Sequence, residues 1–365
     1  MEQKIKKIGI LTGGGDCPGL NAVLRAVVRK GILKYGYEFI GYKFGYKGLY
    51  DNNFIPLTLD SVSGILHKGG TIIYSSNKDN LFDYATEENG KIVKKDVSNV
   101  AVENLKKENV DVLVIIGGDG TLTSARDFAR IGVKVIGVPK TIDNDLACTD
   151  VTFGFNTAIN VATEALDRLH TTAESHHRIM ICEVMGRHAG WIALHAGIAG
   201  SADVILIPEI PFTVNKVAEK IKEREKSGKV FSIICISEGA KIIGEDVIVA
   251  KIVEGSPDPI RLGGIANVLT AKLETLITDH EIRSTILGHT QRGGITSTYD
   301  RILSTRYGAG VLDLIDEGKF AHMVSIQNDM ITAIPLEEVI DKNKYVDEHN
   351  SLVKVARDIG ISFGD

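Results

Sequence analysis

Two aspartates, Asp143 and Asp145, stand two residues apart in the run PKTIDND (139–145), just past an apolar stretch and beside Lys140 and Thr141. A carboxylate near a cation can take a proton from a hydroxyl. Phosphoryl transfer to a neutral alcohol needs such a base. Taken alone, the run also fits an Asx turn with two solvated acids. A third acid, Asp119, lies between glycines in GGDGT (117–121). There it would repel a phosphate unless a cation stood between them, and Mg²⁺ takes carboxylate and phosphate oxygens while keeping waters. Gly120 leaves room beside it for a large nucleotide; a turn residue or helix cap is the plainer reading of Asp119.

GGGD (13–16) leads into an apolar-periodic stretch at Leu20, so peptide N–H groups and a helix dipole would face an anion. There is no GxxxxGK[ST], and Pro18 breaks GxGxxG, so neither a P-loop nor a dinucleotide fingerprint is present. A tight turn is the alternative. Four arginines, Arg178, Arg187, Arg283 and Arg292, fall at the beginnings or ends of expected strands, where a planar fork suits phosphate. His289 precedes Arg292 by three residues in GHTQRGG and could help hold a sugar phosphate; a lone histidine is more often structural.

These residues need a scaffold. Ile5–Thr12, Glu38–Phe44, Val110–Ile116, Val133–Val138, Arg178–Val184, Val204–Pro208, Phe231–Ser237 and Ser284–Gly288 read as strands. VDVLVII, unbroken in its apolar character, demands burial on both faces. Helical spacing covers Leu20–Leu33, a start near Asp60, 97–109, Ala158–Thr171, Gly190–Ala199, Asn215–Lys226, the turn and helix Pro257–Thr278, and Asp300–Glu317. The alternation predicts an α/β fold of two Rossmann-like three-layer domains with mainly parallel sheets, and ligands at the carboxyl ends of the strands.

The 365 residues are enough for about two domains. With 42 basic and 47 acidic residues the formal charge is −5, which argues against generic nucleic-acid or membrane-surface binding. Four cysteines without a CxxC pair fit a reducing compartment, and no run of 18 apolar residues occurs. A soluble cytoplasmic protein is expected. The residues alone thus reach a Mg²⁺-dependent phosphoryl transferase with a polyphosphate donor and an anionic acceptor bearing a hydroxyl.

LTGGGDCPGLN, IGGDGT, PKTIDND, EVMGRHAGW and GHTQRGG together, in this order, resemble the 6-phosphofructokinase family over nearly the whole chain. The resemblance implies transfer of a phosphoryl group from ATP to the 1-hydroxyl of fructose 6-phosphate, and a homo-oligomer, dimer or tetramer, with shared active sites. It implies Asp143 as catalytic base with Thr141 beside it. Gly15, Lys78, Gly118, Asp119, Gly120 and Thr121 would form the donor cradle, Asp119 being the Mg²⁺ ligand. Met185, Gly186 and Arg187 match the sugar-phosphate loop, with Arg187 steadying the transferred group. Glu238 would bind sugar hydroxyls, His289 and Arg292 the 6-phosphate. Arg178 and Arg283 look like the pair a neighbouring subunit contributes. The domains would be 1–154 plus about 291–341 for the donor, and 155–290 plus about 342–365 for the sugar phosphate.

Three positions depart from the family's bacterial ATP enzymes. Lys140 is typical of pyrophosphate-dependent members, yet those carry aspartate at Gly120; the missing side chain favours ATP. Asn77 replaces an arginine, for which Lys78 would substitute. Arg25 and Arg29 match the effector site, but Leu59, His170 and Ser227 do not, which weakens the expectation of control by ADP or phosphoenolpyruvate. The alternatives are a pyrophosphate-dependent enzyme and a kinase of another sugar phosphate such as sedoheptulose 7-phosphate. Lipid and NAD kinases share a motif like GGDGT but lack PKTIDND, and a non-catalytic nucleotide sensor would not need Asp143.

Overall fold

The computed structural model describes residues 5–88, 91–253 and 259–365. β1 (Lys7–Thr12) leads into α1 (Leu20–Lys30), β2 (Glu38–Tyr42), α2 (Tyr46–Tyr50) and β3 (Phe54–Pro56). The antiparallel pair β4 (Tyr84–Glu88) and β5 (Lys91–Lys95) precedes α3 (Ser98–Lys107), β6 (Val112–Gly117), α4 (Asp119–Arg130) and β7 (Val135–Pro139). Then come α5 (Phe155–His176), β8 (Ile179–Val184), α6 (Trp191–Ala199), β9 (Val204–Leu206), α7 (Val214–Lys226) and β10 (Ser232–Ser237). The second antiparallel pair, β11 (Val249–Ile252) and β12 (Ile260–Leu262), is followed by α8 (Ile265–Glu274), β13 (Ile282–Ile286) and α9 (Thr298–Asp316). β14 (His322–Gln327), β15 (Met330–Pro335), α10 (Leu336–Val339) and α11 (Ser351–Asp358) complete the chain.

The strands form a seven-stranded sheet, β15-β14-β7-β6-β1-β2-β3, and a four-stranded sheet, β13-β8-β10-β9. Pairing is parallel throughout except at the edges of the large sheet, where β15 and β3 run antiparallel to their neighbours. The apolar run of β6 is explained by two-residue periodicity: Val112, Val114 and Ile116 enter one core with Ile8 and Ile10, while Leu113 and Ile115 enter the other with Leu11 and Tyr42. The first core continues beneath the small sheet through Met180, Cys182, Ile233 and Cys235. The far face of the small sheet holds Ile179, Ile181, Ile234 and Ile236. The chain leaves β1 toward β2 on one side and reaches β6 on the other. The loops after β1 and β6 therefore flank a topological switch point, where such sheets open a ligand crevice.

The helix expected near Asp60 does not form. Thr58 and Ser61 exchange reciprocal bonds of 2.7 and 3.2 Å around one turn, and Gly64, left-handed at φ 68°, ends it. The helix expected to Thr278 is the shorter α8, preceded by β12; the turn expected at Pro257 lies outside the described residues. After Glu317 the sequence reading assigns no strands, yet β14 and β15 extend the large sheet, β14 pairing in parallel with β7.

Phe128 anchors α4 to this scaffold. It is fully buried, with the rings of Tyr46 and Phe82 at centroid distances of 5.9 and 4.9 Å. Phe128→Ala should cost about 3–5 kcal/mol by truncation in a packed core, read as a lower denaturant midpoint.

Candidate active site

The loop after β1 is shaped by glycine. Gly14 takes φ 79°, and a Cβ there would lie 3.2 Å from Lys140 Nζ. Gly14 N–H donates to Ser76 O at 2.9 Å, binding this loop to the segment that carries Asn77 and Lys78. Lys78 itself is exposed, its amide 3.3 Å from Ser76 Oγ. The Lys140 ammonium donates to Gly15 O at 2.8 Å, and Arg292 Nη1 reaches Asp16 O at 3.2 Å. The loop after β1 thus has two cations bonded to its carbonyls. Burial pushes the Lys140 ammonium below its ordinary pKa.

β6 ends at Gly117, and α4 starts at Asp119, so Asp119 occupies the first turn, where the helix dipole favours an anion. Its Oδ1 is buried without a hydrogen-bond partner among the described residues. Burial, then the nearby Asp341 carboxylate, raises its pKa, against the pull of Arg187 and Arg126. Thr121 is buried one turn in, its carbonyl accepting the Tyr46 hydroxyl at 2.8 Å. A Cβ on Gly120 would meet no atom within 4 Å. The space beside the exposed glycine is open.

The loop after β7 lies directly alongside. Lys140 N–H donates to Gly117 O at 2.9 Å, continuing the β6–β7 ladder one residue further. Asp143 N–H donates to Thr141 Oγ1 at 3.1 Å, turning the chain so that Thr141 and Asp143 are both buried. Asp143 Oδ1 has no partner among the described residues. Burial and the charge of Asp143 raise the pKa of Asp145. Across the cleft, Glu238 at the end of β10 is pushed up to about 7 by burial and then by the same Asp143 charge. One carboxylate therefore acts on residues from both sheets.

The small sheet supplies the opposite wall. Gly186 at φ 138° and Arg187 at φ 55° make a tight reversal after β8, and Arg187 N–H donates to Glu238 Oε1 at 3.1 Å. Met185 N–H reaches Oε1 of the buried Gln291 at 3.3 Å, linking this loop to the one-turn helix Gly288–Arg292 that carries His289 and Arg292. His289 is exposed. Asp300, fully buried, accepts from Thr157 N–H and Oγ1 at 2.7 and 2.6 Å, joining the first turns of α5 and α9 behind this wall.

Arg178 and Arg283 lie elsewhere. Arg178 precedes β8 whereas Met185 follows it, a separation of roughly 20 Å along six strand residues. Glu281 pairs with both guanidiniums, which hold its carboxyl below the usual range. The loops after β1, β6, β7, β8 and β10 and Arg292 are linked to one another by bonds and charge, whereas this pair is not, and among the described residues Lys78 and His289 point no bond into the site.

Sequence reasoning missed the segment Asp341–Val346. Asp341 approaches both Asp119 and Arg126, the latter at 3.8 Å. Lys344 Nζ donates to Asn144 Oδ1 across 200 residues. No local motif signals such a contact; only the return of the chain to the large sheet creates it.

The phosphofructokinase family model matches residues 7–315. The ATP-dependent 6-phosphofructokinase 2 of Clostridium perfringens is 70% identical over the full length of both chains. The pyrophosphate–fructose 6-phosphate 1-phosphotransferase of Streptomyces coelicolor is 44% identical over 98% of this chain and all of its own. A solved phosphofructokinase from Saccharomyces cerevisiae, 31% identical, superposes with a TM-score of 0.77 over 91% of this chain and 45% of its own.

The Arg187 reversal has no spare room. A Cβ on Gly239 would lie 1.8 Å from Arg187 O. Gly239→Ala should cost on the order of 1–3 kcal/mol by displacing this loop, measured as a lowered melting temperature.

Proposed function

Because the chain belongs to the phosphofructokinase family, we propose that its cleft transfers the γ-phosphoryl group of ATP to the 1-hydroxyl of fructose 6-phosphate, giving fructose 1,6-bisphosphate and ADP. It is a phosphotransferase of glycolysis. The observation that carries the reading is the 2.9 Å bond from Lys140 N–H to Gly117 O, which sets the Asp143 loop beside the Asp119 loop in one crevice.

Asp143 takes the proton of the 1-hydroxyl as it attacks. The Oδ1 left without a protein partner is free to receive it. Thr141 orients that carboxylate through the Asp143 amide. Arg187 steadies the transferred group, Glu238 accepts from sugar hydroxyls, and His289 with Arg292 holds the 6-phosphate, Met185 and Gly186 shaping the loop. Gly15, Lys78, Gly118, Gly120 and Thr121 cradle the donor.

Asp119 fits a Mg²⁺ ligand. Its buried Oδ1 lacks a partner among the described residues, and Mg²⁺ is usually bound by one or two carboxylates with phosphate oxygens and waters completing the shell. Among the described residues no three His, Cys, Asp or Glu side chains converge on one point, which agrees with a metal brought by the nucleotide. Bound there, Mg²⁺ would neutralise charge between the donor phosphates.

The open space at Gly120 supports ATP over pyrophosphate. Lys140, typical of pyrophosphate-dependent members, is compatible with either donor because its ammonium serves the back of the loop. Arg178 and Arg283, remote from this chain's cleft, support a homo-oligomer in which they complete a neighbour's sugar-phosphate pocket. Mg²⁺ dependence, a dimeric or tetrameric assembly and a cytoplasmic location belong to the same proposal; no helix among the described residues is long and apolar enough to cross a membrane. We also propose the division 1–154 plus about 291–341 and 155–290 plus about 342–365. In its support, β14 joins the large sheet and Ser362 bridges to Val204 of the small one.

Asp143→Asn should lower kcat by about 10²–10⁴-fold, the usual value of a general base, with fructose 6-phosphate and ATP binding retained in titration calorimetry. Full activity in that variant would refute the base. A Cβ at Gly120 meets no atom within 4 Å, so Gly120→Asp should keep a melting temperature close to the wild type while kcat/KM for ATP falls. Faster wild-type turnover with pyrophosphate than with ATP would overturn the donor assignment.

A further inference from the structure

The segment after α10 crosses from one sheet to the other, and Lys344 is its centre. The ammonium of Lys344 makes three bonds to the loop that carries Asp143: Asn144 Oδ1 at 3.1 Å, Thr149 O at 3.1 Å and Asp150 O at 2.9 Å. Its backbone N–H donates to Asp145 O at 2.7 Å, and Asn343 forms a bridge with Leu146. On the other side, Trp191 Nε1 at the start of α6 donates to Lys344 O at 2.8 Å, with the ammonium 5.9 Å from the indole ring centre. Val346 N–H reaches Glu209 Oε1 at 2.9 Å, and Glu209 also receives Gly190 N–H.

The loop needs this support. Asn144 and Cys148 both sit at positive φ, 53° and 63°, a conformation that costs energy outside glycine and persists only when its surroundings impose it. The Asn144 side chain is held twice, by Lys344 Nζ and by Thr152 N–H at 3.1 Å. Asp143 is the residue immediately before.

We propose that Lys344 is a positioning residue for phosphoryl transfer: its ammonium fixes the Asn144–Asp150 loop, and its backbone fastens that loop to Trp191 across the two sheets, so that Asp143 is held where the acceptor hydroxyl arrives. The proposal rests on the reading of Asp143 as the base. Misplacement of a reacting group by about 1 Å costs up to 10²-fold in rate. From its own sheet the loop is held further along, where Cys148 O accepts from Ser325 Oγ at 2.5 Å and Gln327 Nε2 at 3.1 Å; Lys344 holds the Asn144 side chain, next to Asp143.

The clamp is titratable. Burial brings the Lys344 pKa down to about 8, opposed by Asp150 and Asp145 on the loop. From α6 the neighbouring titratable group is His195, itself held below its ordinary pKa by burial; Glu209 faces the segment two residues further on. As pH rises through about 8 the ammonium loses its charge and one of its three donors, so the three acceptors can no longer all be satisfied and kcat should fall on the alkaline side.

Trp191 is the sole tryptophan, so its emission reports on Lys344 directly. The wild type without substrates should show a fluorescence transition with a midpoint near pH 8, absent in Lys344→Met. Lys344→Met should lose about tenfold or more in kcat, with KM for both substrates within about twofold. Lys344→Arg, whose guanidinium stays charged, should recover most of the rate and lack the alkaline limb. Flat wild-type emission from pH 7 to 9.5, the same transition in Lys344→Met, or an unchanged kcat in that variant would overturn the proposal. Should Lys344→Met not fold, the wild-type titration and the pH profile of Lys344→Arg decide. An inactive Asp143→Asn beside a fully active Lys344→Met sinks this inference alone; an active Asp143→Asn sinks the assignment of the base itself.

Discussion

The hydrogen bond from the Lys140 amide to the Gly117 carbonyl ties the loop after β7 to the loop after β6. Parallel strands in register end at the same level, so both loops rise from one edge of the sheet. That constraint sets Asp143 beside Asp119, the two acids that the proposed function gives to the acceptor and the donor. It also brings Lys140 within reach of Gly15 O on the loop after β1. Three strand ends thereby build one cleft around a switch point, the place where a doubly wound sheet cannot close its own surface.

Charge in the cleft is deliberately unbalanced. Asp119, Asp145 and Glu238 are each raised by burial, and a neighbouring carboxylate pushes each of them further. Such an arrangement costs stability in the free protein and is relieved by cations or by a substrate carrying its own counter-ion. Lys140 bonds Gly15 O and Arg292 bonds Asp16 O, while Arg187 and Arg126 oppose the rise at Asp119 and Arg292 the rise at Glu238 without cancelling either. A phosphate ligand carrying its own cation, as the proposed function requires, would complete the balance.

Much of this was legible in the chain. Burial on both faces forces an unbroken apolar run, which is why β6 stands out, and glycines at strand ends mark where backbone must turn tightly, as Gly14 and Gly186 do. The five motifs carry Gly15, Asp119, Asp143, Arg187 and Arg292, whereas Glu238 and Asp341 lie outside them. Less legible were segments whose structure is imposed from a distance. β15 has one exposed and several half-buried residues and no compelling local pattern; it is a strand because β14 offers it an edge. The single turn at Thr58–Ser61 looked like a helix start because capping chemistry is the same whether or not a helix follows.

From the linear chain alone come the alternation of strands and helices, the acids and glycines at strand ends and the kinship of the motifs, because each is written in residue type and short spacing. The fold alone decided which strand ends became neighbours, that Arg178 and Arg283 lie at the other end of the small sheet from Met185, and that residue 344 returns to brace residue 144. Those relations depend on register and on chain crossings between two sheets, and contacts 200 residues apart leave no trace in local pattern.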